Sequence, residues 1–172
     1  MLHDDAKSET FNATVGAYVA QARAICYRRD KKDRLEVLLV GSRRNGRWGV
    51  PKGHVESREA SSRAAAREAF EEAGVVGVID EAVFGSFSYQ KDTSTNVYTV
   101  TVHLLKVSKM VGRFPEKDIR KQRWFLLKDA VREAAQPGLR ALLFKLENAG
   151  MYGRGKIDLL QAHVIGTVKK AP

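Results

Sequence analysis

Gly53-His54-Val55-Glu56-Ser57-Arg58-Glu59, continued by Arg67-Glu68-Ala69-Phe70-Glu71-Glu72-Ala73-Gly74-Val75, is the stretch that decides the fold. Glu68, Glu71 and Glu72 stand at i, i+3 and i+4 in an alanine-rich run, which predicts a helix from about Arg58 to Ala73 closed by Gly74. At about 100° per residue the three carboxylates share roughly a 100° arc of one helix face. Ala66, Ala69, Phe70 and Ala73 are expected to pack inward on the other side. Mutual repulsion among three acids calls for a cation, and an all-oxygen donor set suits Mg²⁺ or Mn²⁺ rather than zinc.

Outward from this stretch, the 172 residues are 44% hydrophobic and 29% charged, enough for one globular domain of ordinary core size. Thirty Lys and Arg against twenty Asp and Glu leave a net charge of +10, which favours polyanionic partners such as nucleic acid or polyphosphorylated small molecules. Cys26 is the sole cysteine, so no intrachain disulfide can form and a reducing cytoplasm is the expected setting. No stretch reaches the length of a membrane span, and no membrane association is expected.

In chain order, residues 1–12 read as a flexible N-terminal arm, 13–150 as the one folded domain and 151–172 as a C-terminal extension. From Ala17 to Tyr27 alternation predicts a strand, with Gln21, Arg23, Ile25 and Tyr27 on one face and Ala20, Ala22, Ala24 and Cys26 on the other. Leu35 to Val40 reads as a strand covered on both sides. Asn45-Gly46 signals a two-residue hairpin with positive φ at both positions, and Arg43, Arg44 and Arg47 cluster at its tip. Lys52-Gly53-His54 is expected as a loop. Strands follow at Val75 to Ile79, Ala82 to Tyr89, Val97 to Val107 and Gln122 to Leu127. Helices are expected from Asp129 to Ala135 and after Pro137-Gly138, the second ended by Gly150, with a short strand near Ile157 to Leu160. His103 reads as a hydrogen-bonded structural residue and Cys26 as a small core residue.

The opening stretch resembles the signature box of the Nudix hydrolases: Gly53, Glu59, Arg67, Glu68, Glu71, Glu72, Gly74 and Val75 all match. Seven fixed positions at about 1 in 15 each make coincidence a matter of on the order of 1 in 10⁸ per start site, so the match is informative by itself. The resemblance implies an α/β (α+β) Nudix fold, a mixed β-sheet sandwiched between α-helices. It implies metal binding by Glu68, Glu71, Glu72 and the carbonyl of Gly53. A catalytic base is implied among Glu68, Glu71 and Glu72, Glu71 first, or on a distant loop, where Glu116 and Asp118 are either that carboxylate or solvated positions. It further implies a salt bridge between Glu59 and Arg67 that supports the site.

Two finer resemblances bear on substrate. Trp48-Gly49-Val50-Pro51-Lys52-Gly53-His54-Val55-Glu56 resembles the segment that opens the box in the diadenosine polyphosphate hydrolases. Arg23-Ala24, Arg43 after its Leu-Leu-Val strand, and Arg123-Trp124-Phe125 resemble the diphosphoinositol polyphosphate phosphohydrolases. Both imply a long polyphosphorylated small-molecule substrate, which Arg23, Arg43, Arg44, Lys52, Arg120 and Lys121 would bind. His54 has two readings, a phosphate donor or a backbone-satisfied loop residue. Hydrolysis of RNA 5′-triphosphate ends or of nucleoside triphosphates is the alternative activity, nucleic acid ranking below small molecules because few aromatics interleave with the basic clusters. A non-catalytic nucleotide sensor is the third reading, and retention of all the box glutamates argues against it.

Overall fold

The computed structural model describes residues 16–151, with nothing of the side chains of the last two. The expected arm at residues 1–12, the strand near Ile157 to Leu160 and the remaining tail lie outside them. In order come β1 (Tyr18–Arg29), β2 (Leu35–Gly41), β3 (Trp48–Gly49), β4 (Lys52–His54), α1 (Ser61–Ala73), β5 (Val75–Ile79), β6 (Gly85–Gln90), β7 (Val97–Met110), β8 (Gln122–Leu126), α2 (Leu127–Glu133) and α3 (Pro137–Met151).

All eight strands belong to one sheet whose main path runs β3-β2-β1-β7-β5, with β4 on β1, β6 on β7 and β8 on β2. The central pair β1–β7 is parallel and the other pairs are antiparallel, so the sheet is mixed. Alternation along β1 and β2 then sorts the core. Ile25, Tyr27, Val37 and Leu39 face a layer made by α2 and α3, where Leu127, Ala130, Leu139, Leu143 and Leu146 are buried. Ala22, Ala24, Cys26, Leu38 and Val40 face α1 and meet Ala64, Ala65, Ala69 and Ala73. The expected sandwich of a mixed sheet between helices is borne out, as is the core position of Cys26. Small residues on both sides let α1 lie close to the sheet, which carries Glu68 and Glu72 against Gly53 and Lys52 of β4.

Five local expectations need correction. The helix begins at Ser61, not near Arg58, because Arg58 takes a left-handed φ of 64° and Ala60 is the extended N-cap. Phe70 is 38% exposed and does not pack inward: it lies about 140° around the helix from Ala65, while Glu72 takes the buried place. Lys52-Gly53-His54 is a strand, held to β1 in the register Gln21↔His54, Ala22↔Gly53 and Arg23↔Lys52. At the hairpin only Gly46 is left-handed, and a wider loop closes through Ser42 N–H to Arg47 O and Gly46 N–H to Ser42 O, each 2.9 Å. Finally, α2 starts two residues early at Leu127, and α3 runs through Gly150 to Met151. Gly74 does close α1, with φ 66° and its N–H on the carbonyls of Ala69 and Phe70.

His103 shows how the acidic helix is anchored. It is 1% exposed, with Nε2 2.9 Å from Ser61 Oγ at the start of α1 and Nδ1 3.0 and 3.2 Å from the carbonyls of Asp80 and Ala82. Two carbonyls at Nδ1 require the Nδ1–H tautomer, so the Ser61 hydroxyl donates to Nε2. His103→Ala is expected to cost about 2–4 kcal/mol in chemical denaturation, from the cavity and the orphaned carbonyls together. No helix among the described residues is long and apolar enough to cross a membrane.

Candidate active site

Two arginines organise the carboxylates of α1. Arg67 grips Glu59 bidentately, Nε to Oε1 and Nη2 to Oε2 at 3.0 Å each, and its Nη2 donates to the carbonyl of His54 at 3.1 Å. Its Nη1 reaches Glu68 Oε1 at 2.8 Å and Glu71 Oε2 at 3.4 Å. One side chain therefore ties the β4–α1 connection to the helix. The bond to Arg67 holds Glu59 below the usual carboxylate range, and the same contact raises Arg67 above its ordinary value.

Arg120 serves the other end, with Nη2 2.7 Å from Glu72 Oε1 and Nε 2.6 Å from Glu116 Oε2. Glu72 also accepts from the Lys52 backbone N–H at 3.3 Å. Burial pushes the Glu72 carboxyl up to about 7, against the pull of Lys52 and Arg120. Glu68 is likewise raised by burial and drawn back by Arg67. Glu116 is placed by its own backbone, whose N–H donates to Glu71 O at 2.9 Å, and its carboxylate also receives Arg43. Asp118, by contrast, is exposed at a left-handed φ of 64° and is not drawn into this network.

Among the described residues, no three His, Cys, Asp or Glu side chains converge closely enough to hold a metal ion. The donor chemistry nevertheless suits a hard cation: Glu68, Glu71 and Glu72 offer only oxygen, and the Gly53 backbone lies directly against Glu68. A Cβ built on Gly53 would land on the Glu68 carboxylate. Gly53→Ala is thus expected to lower kcat about tenfold or more by displacing Glu68, with a smaller change in KM, measured by steady-state kinetics.

Beside Glu72 opens a cleft of about 480 Å³. Its wall includes Arg23, Arg43, Arg44, Lys52 and Arg120, so five of the seven residues expected to bind substrate share one surface. His54 is exposed on β4 and Lys121 sits over the outer face of Trp48, 4.6 Å from the ring centre, so neither lines this wall. Arg44 is exposed on the loop between β2 and β3. Lys52 is lowered chiefly by burial, with Glu72 opposing and Arg23 and Arg120 adding to the shift.

Arg23 is the most unusual member. It is 1% exposed on central strand β1, between the rings of Phe87 at 5.2 Å and Tyr89 at 5.9 Å. Its Nε and Nη2 have no hydrogen-bond partner among the described residues, and burial lowers it to about 10. Gln21, Trp48, Tyr89, Lys91 and Gln136 also line the cleft and were not singled out from sequence. Gln21 was within reach, since it shares the face of Arg23 in the alternation of β1. Tyr89 was not, because its place depends on β6 pairing with β7 and on the bond from its hydroxyl to Gln21 Oε1.

The NUDIX domain family profile matches residues 19–146. The chain belongs to the Nudix family. Among curated relatives, diphosphoinositol polyphosphate phosphohydrolase 3-beta of Bos taurus is 36% identical over 115 residues, 65% of this chain and 66% of that protein. The aligned part thus spans just under two thirds of that relative's length. Nudix hydrolase 4 of Arabidopsis thaliana is 35% identical over 102 residues, 59% of this chain and 48% of that one. Among solved structures, the C. elegans Ap4A hydrolase in a binary complex superposes with a TM-score of 0.63 at 26% identity, covering 78% of this chain and 99% of that one. The Nudix box therefore sits in a Nudix fold, with its acids on α1 and its first glycine on β4.

Proposed function

We propose that this Nudix protein is a hydrolase that cleaves a phosphoanhydride bond by water attack, with Mg²⁺ or Mn²⁺, in a long polyphosphorylated small molecule of the diadenosine polyphosphate or diphosphoinositol polyphosphate kind. The observation that carries this reading is Arg23, a buried guanidinium with two unsatisfied nitrogens, on the same cleft wall as Glu72. A buried charged donor left unpaired costs free energy in the empty protein, and an anionic ligand in the cleft would remove that cost.

Glu68, Glu71, Glu72 and the Gly53 carbonyl would hold the cation. When bound, it supplies charge neutralisation on non-bridging phosphate oxygens and lowers the pKa of a water. The chain's own residues account for the rest. Arg23, Arg43, Lys52 and Arg120 bind and orient the phosphate chain, and their number suits a substrate longer than a triphosphate. Glu71, the most exposed of the three helix acids at 37%, is free to accept a proton from the attacking water. Glu59 and Arg67 keep β4 and α1 in register, so that these groups meet. The names of the relatives agree with both substrate classes.

Hydrolysis of RNA ends or nucleoside triphosphates ranks second. The aromatics near the cleft are already engaged, Trp48 under Lys121 and Tyr89 stacked on Tyr98 at 5.0 Å, which leaves few faces for bases. A panel of diadenosine polyphosphates, diphosphoinositol phosphates, nucleoside triphosphates and triphosphorylated RNA, compared by kcat/KM, tests the order. The first two are expected to exceed the others about tenfold or more. The reverse order would overturn the substrate, and inertness towards all four would overturn the activity.

A further inference from the structure

Arg43, Glu116, Arg120 and Glu72 form a ladder of alternating charge, with Arg43, Arg120 and Glu72 on the cleft wall. Arg120 is its centre, with a side chain only 9% exposed that bridges Glu72 of α1 to Glu116 of the loop between β7 and β8. Among the described residues it makes one further hydrogen bond, a long one from Nη1 to Gly41 O at 3.4 Å. Arg43, 54% exposed, holds the second oxygen of Glu116. Glu72 is otherwise filled by the Lys52 N–H. Of the carboxylates assigned to the cation, Glu72 is therefore held by Arg120 and the Lys52 N–H, and Glu68 by Arg67.

We propose that Arg120 is an internal counter-ion, shared by Glu72 and Glu116 and displaced from Glu72 when a divalent cation takes the Glu72 oxygens. This rests on the metal site assigned above. A guanidinium donating along a carboxylate's lone pair and a cation coordinated to the same lone pair exclude each other. Arg43 already balances Glu116, so Arg120 balances Glu72, and a dication at Glu72 frees the guanidinium for another anion. Once released, Arg120 remains on the wall that carries Arg23, Arg43 and Lys52, where a phosphate is the available acceptor. Polyphosphate draws the same arginines off the carboxylates from the other side. Cation and polyphosphate thus each free what the other needs, and linkage makes the coupling reciprocal. Arg120 is a positioning residue in this scheme, converting a self-paired cleft into one that accepts metal and phosphate together.

The test is Mn²⁺ affinity in the absence of substrate, read from the electron paramagnetic resonance signal of free Mn²⁺ and, separately, from the Mn²⁺-induced rise in melting temperature. Arg120→Gln is expected to bind Mn²⁺ about tenfold more tightly than wild type and to show the larger rise, whereas Arg120→Lys, which keeps the charge, stays near wild type. Affinity in Arg120→Gln equal to or below wild type would overturn the proposal, because a purely structural bridge cannot improve metal binding when lost. Should Arg120→Gln fail to fold, Arg43→Gln, on an exposed loop, is expected to shift affinity in the same direction by about threefold. An unchanged value there would then overturn it. Absence of Mn²⁺ binding in the wild type would instead contradict the assigned metal site, so the two failures are distinguishable.

Discussion

Glu71→Gln is expected to lower turnover at least about a hundredfold in Mg²⁺ buffer while leaving the melting temperature within about 2 °C of wild type. The contrast among the three helix acids makes this variant the informative one. Glu72 and Glu68 are 4% and 13% exposed and are tied to Arg120 and Arg67 at 2.7 and 2.8 Å. Replacing either disturbs a packed ion pair, so lost activity would mix chemistry with structure. Glu71 is 37% exposed, and its ion pair with Arg67 is long, at 3.4 Å. Arg67 keeps its bidentate hold on Glu59 when Glu71 is neutral, so the helix and β4 stay in place. The amide removes one negative oxygen from the proposed cation site and the group best exposed to take a proton. Product formation by chromatography, paired with a thermal melt, checks both halves. Unchanged turnover would remove Glu71 from the reaction.

Arg23→Met should move stability and function in opposite directions. Burial lowers Arg23 to about 10, which corresponds to a cost of roughly 3 kcal/mol for keeping it charged. Methionine fills much of the same volume between Phe87 and Tyr89 and needs no hydrogen-bond partners. After the lost cation–π contacts are deducted, a net gain of about 1–2 kcal/mol is expected, or roughly 2–6 °C in melting temperature for a chain of this size. Meanwhile KM for a long polyphosphate is expected to rise about tenfold to a hundredfold, since a buried charge-assisted pair with phosphate is lost. Differential scanning calorimetry and steady-state kinetics report the two arms. A fall of several degrees would mark Arg23 as a structural residue rather than one held ready for an anion.

Periodicity carried much of the fold. The alternation of β1 and β7, the continuous apolar run of β2 and the box helix could all be read from local pattern, because each buries a face with a regular period. What escaped depended on distant partners. Lys52-Gly53-His54 has no strand-like composition and is extended only because β1, some thirty residues earlier, supplies its hydrogen bonds. Phe70 was placed inside because it lies opposite the three acids on the helix. The helix turns Glu72 inward instead, since Arg120 and the Lys52 N–H satisfy that carboxylate from outside the helix. Asn45-Gly46 carried the right turn signal, but a loop closed by Ser42 and Arg47 needs only one left-handed residue.

For the site, helical spacing brought out the three acids, and the resemblance to the Nudix box implied the Glu59–Arg67 pair, which the structure contains. Neither could show that Arg67 also reaches Glu68 and Glu71, or that Glu116 joins through the backbone N–H it sends to Glu71. Arg23 was legible as a basic residue on the face of Gln21. Its complete burial follows from β1 lying between β2 and β7 in the middle of the sheet, which is a property of the topology.

The central claim is that this cleft directs water onto a phosphoanhydride bond. Incubation with a diadenosine polyphosphate and with a diphosphoinositol phosphate in ¹⁸O-labelled water, with Mg²⁺ or with chelator, tests it most directly by mass spectrometry of the products. The expected result is one ¹⁸O atom in one phosphorylated product of at least one of these substrates, and no cleavage in chelator. Intact substrates throughout, or cleavage that proceeds equally without the cation, would contradict the account.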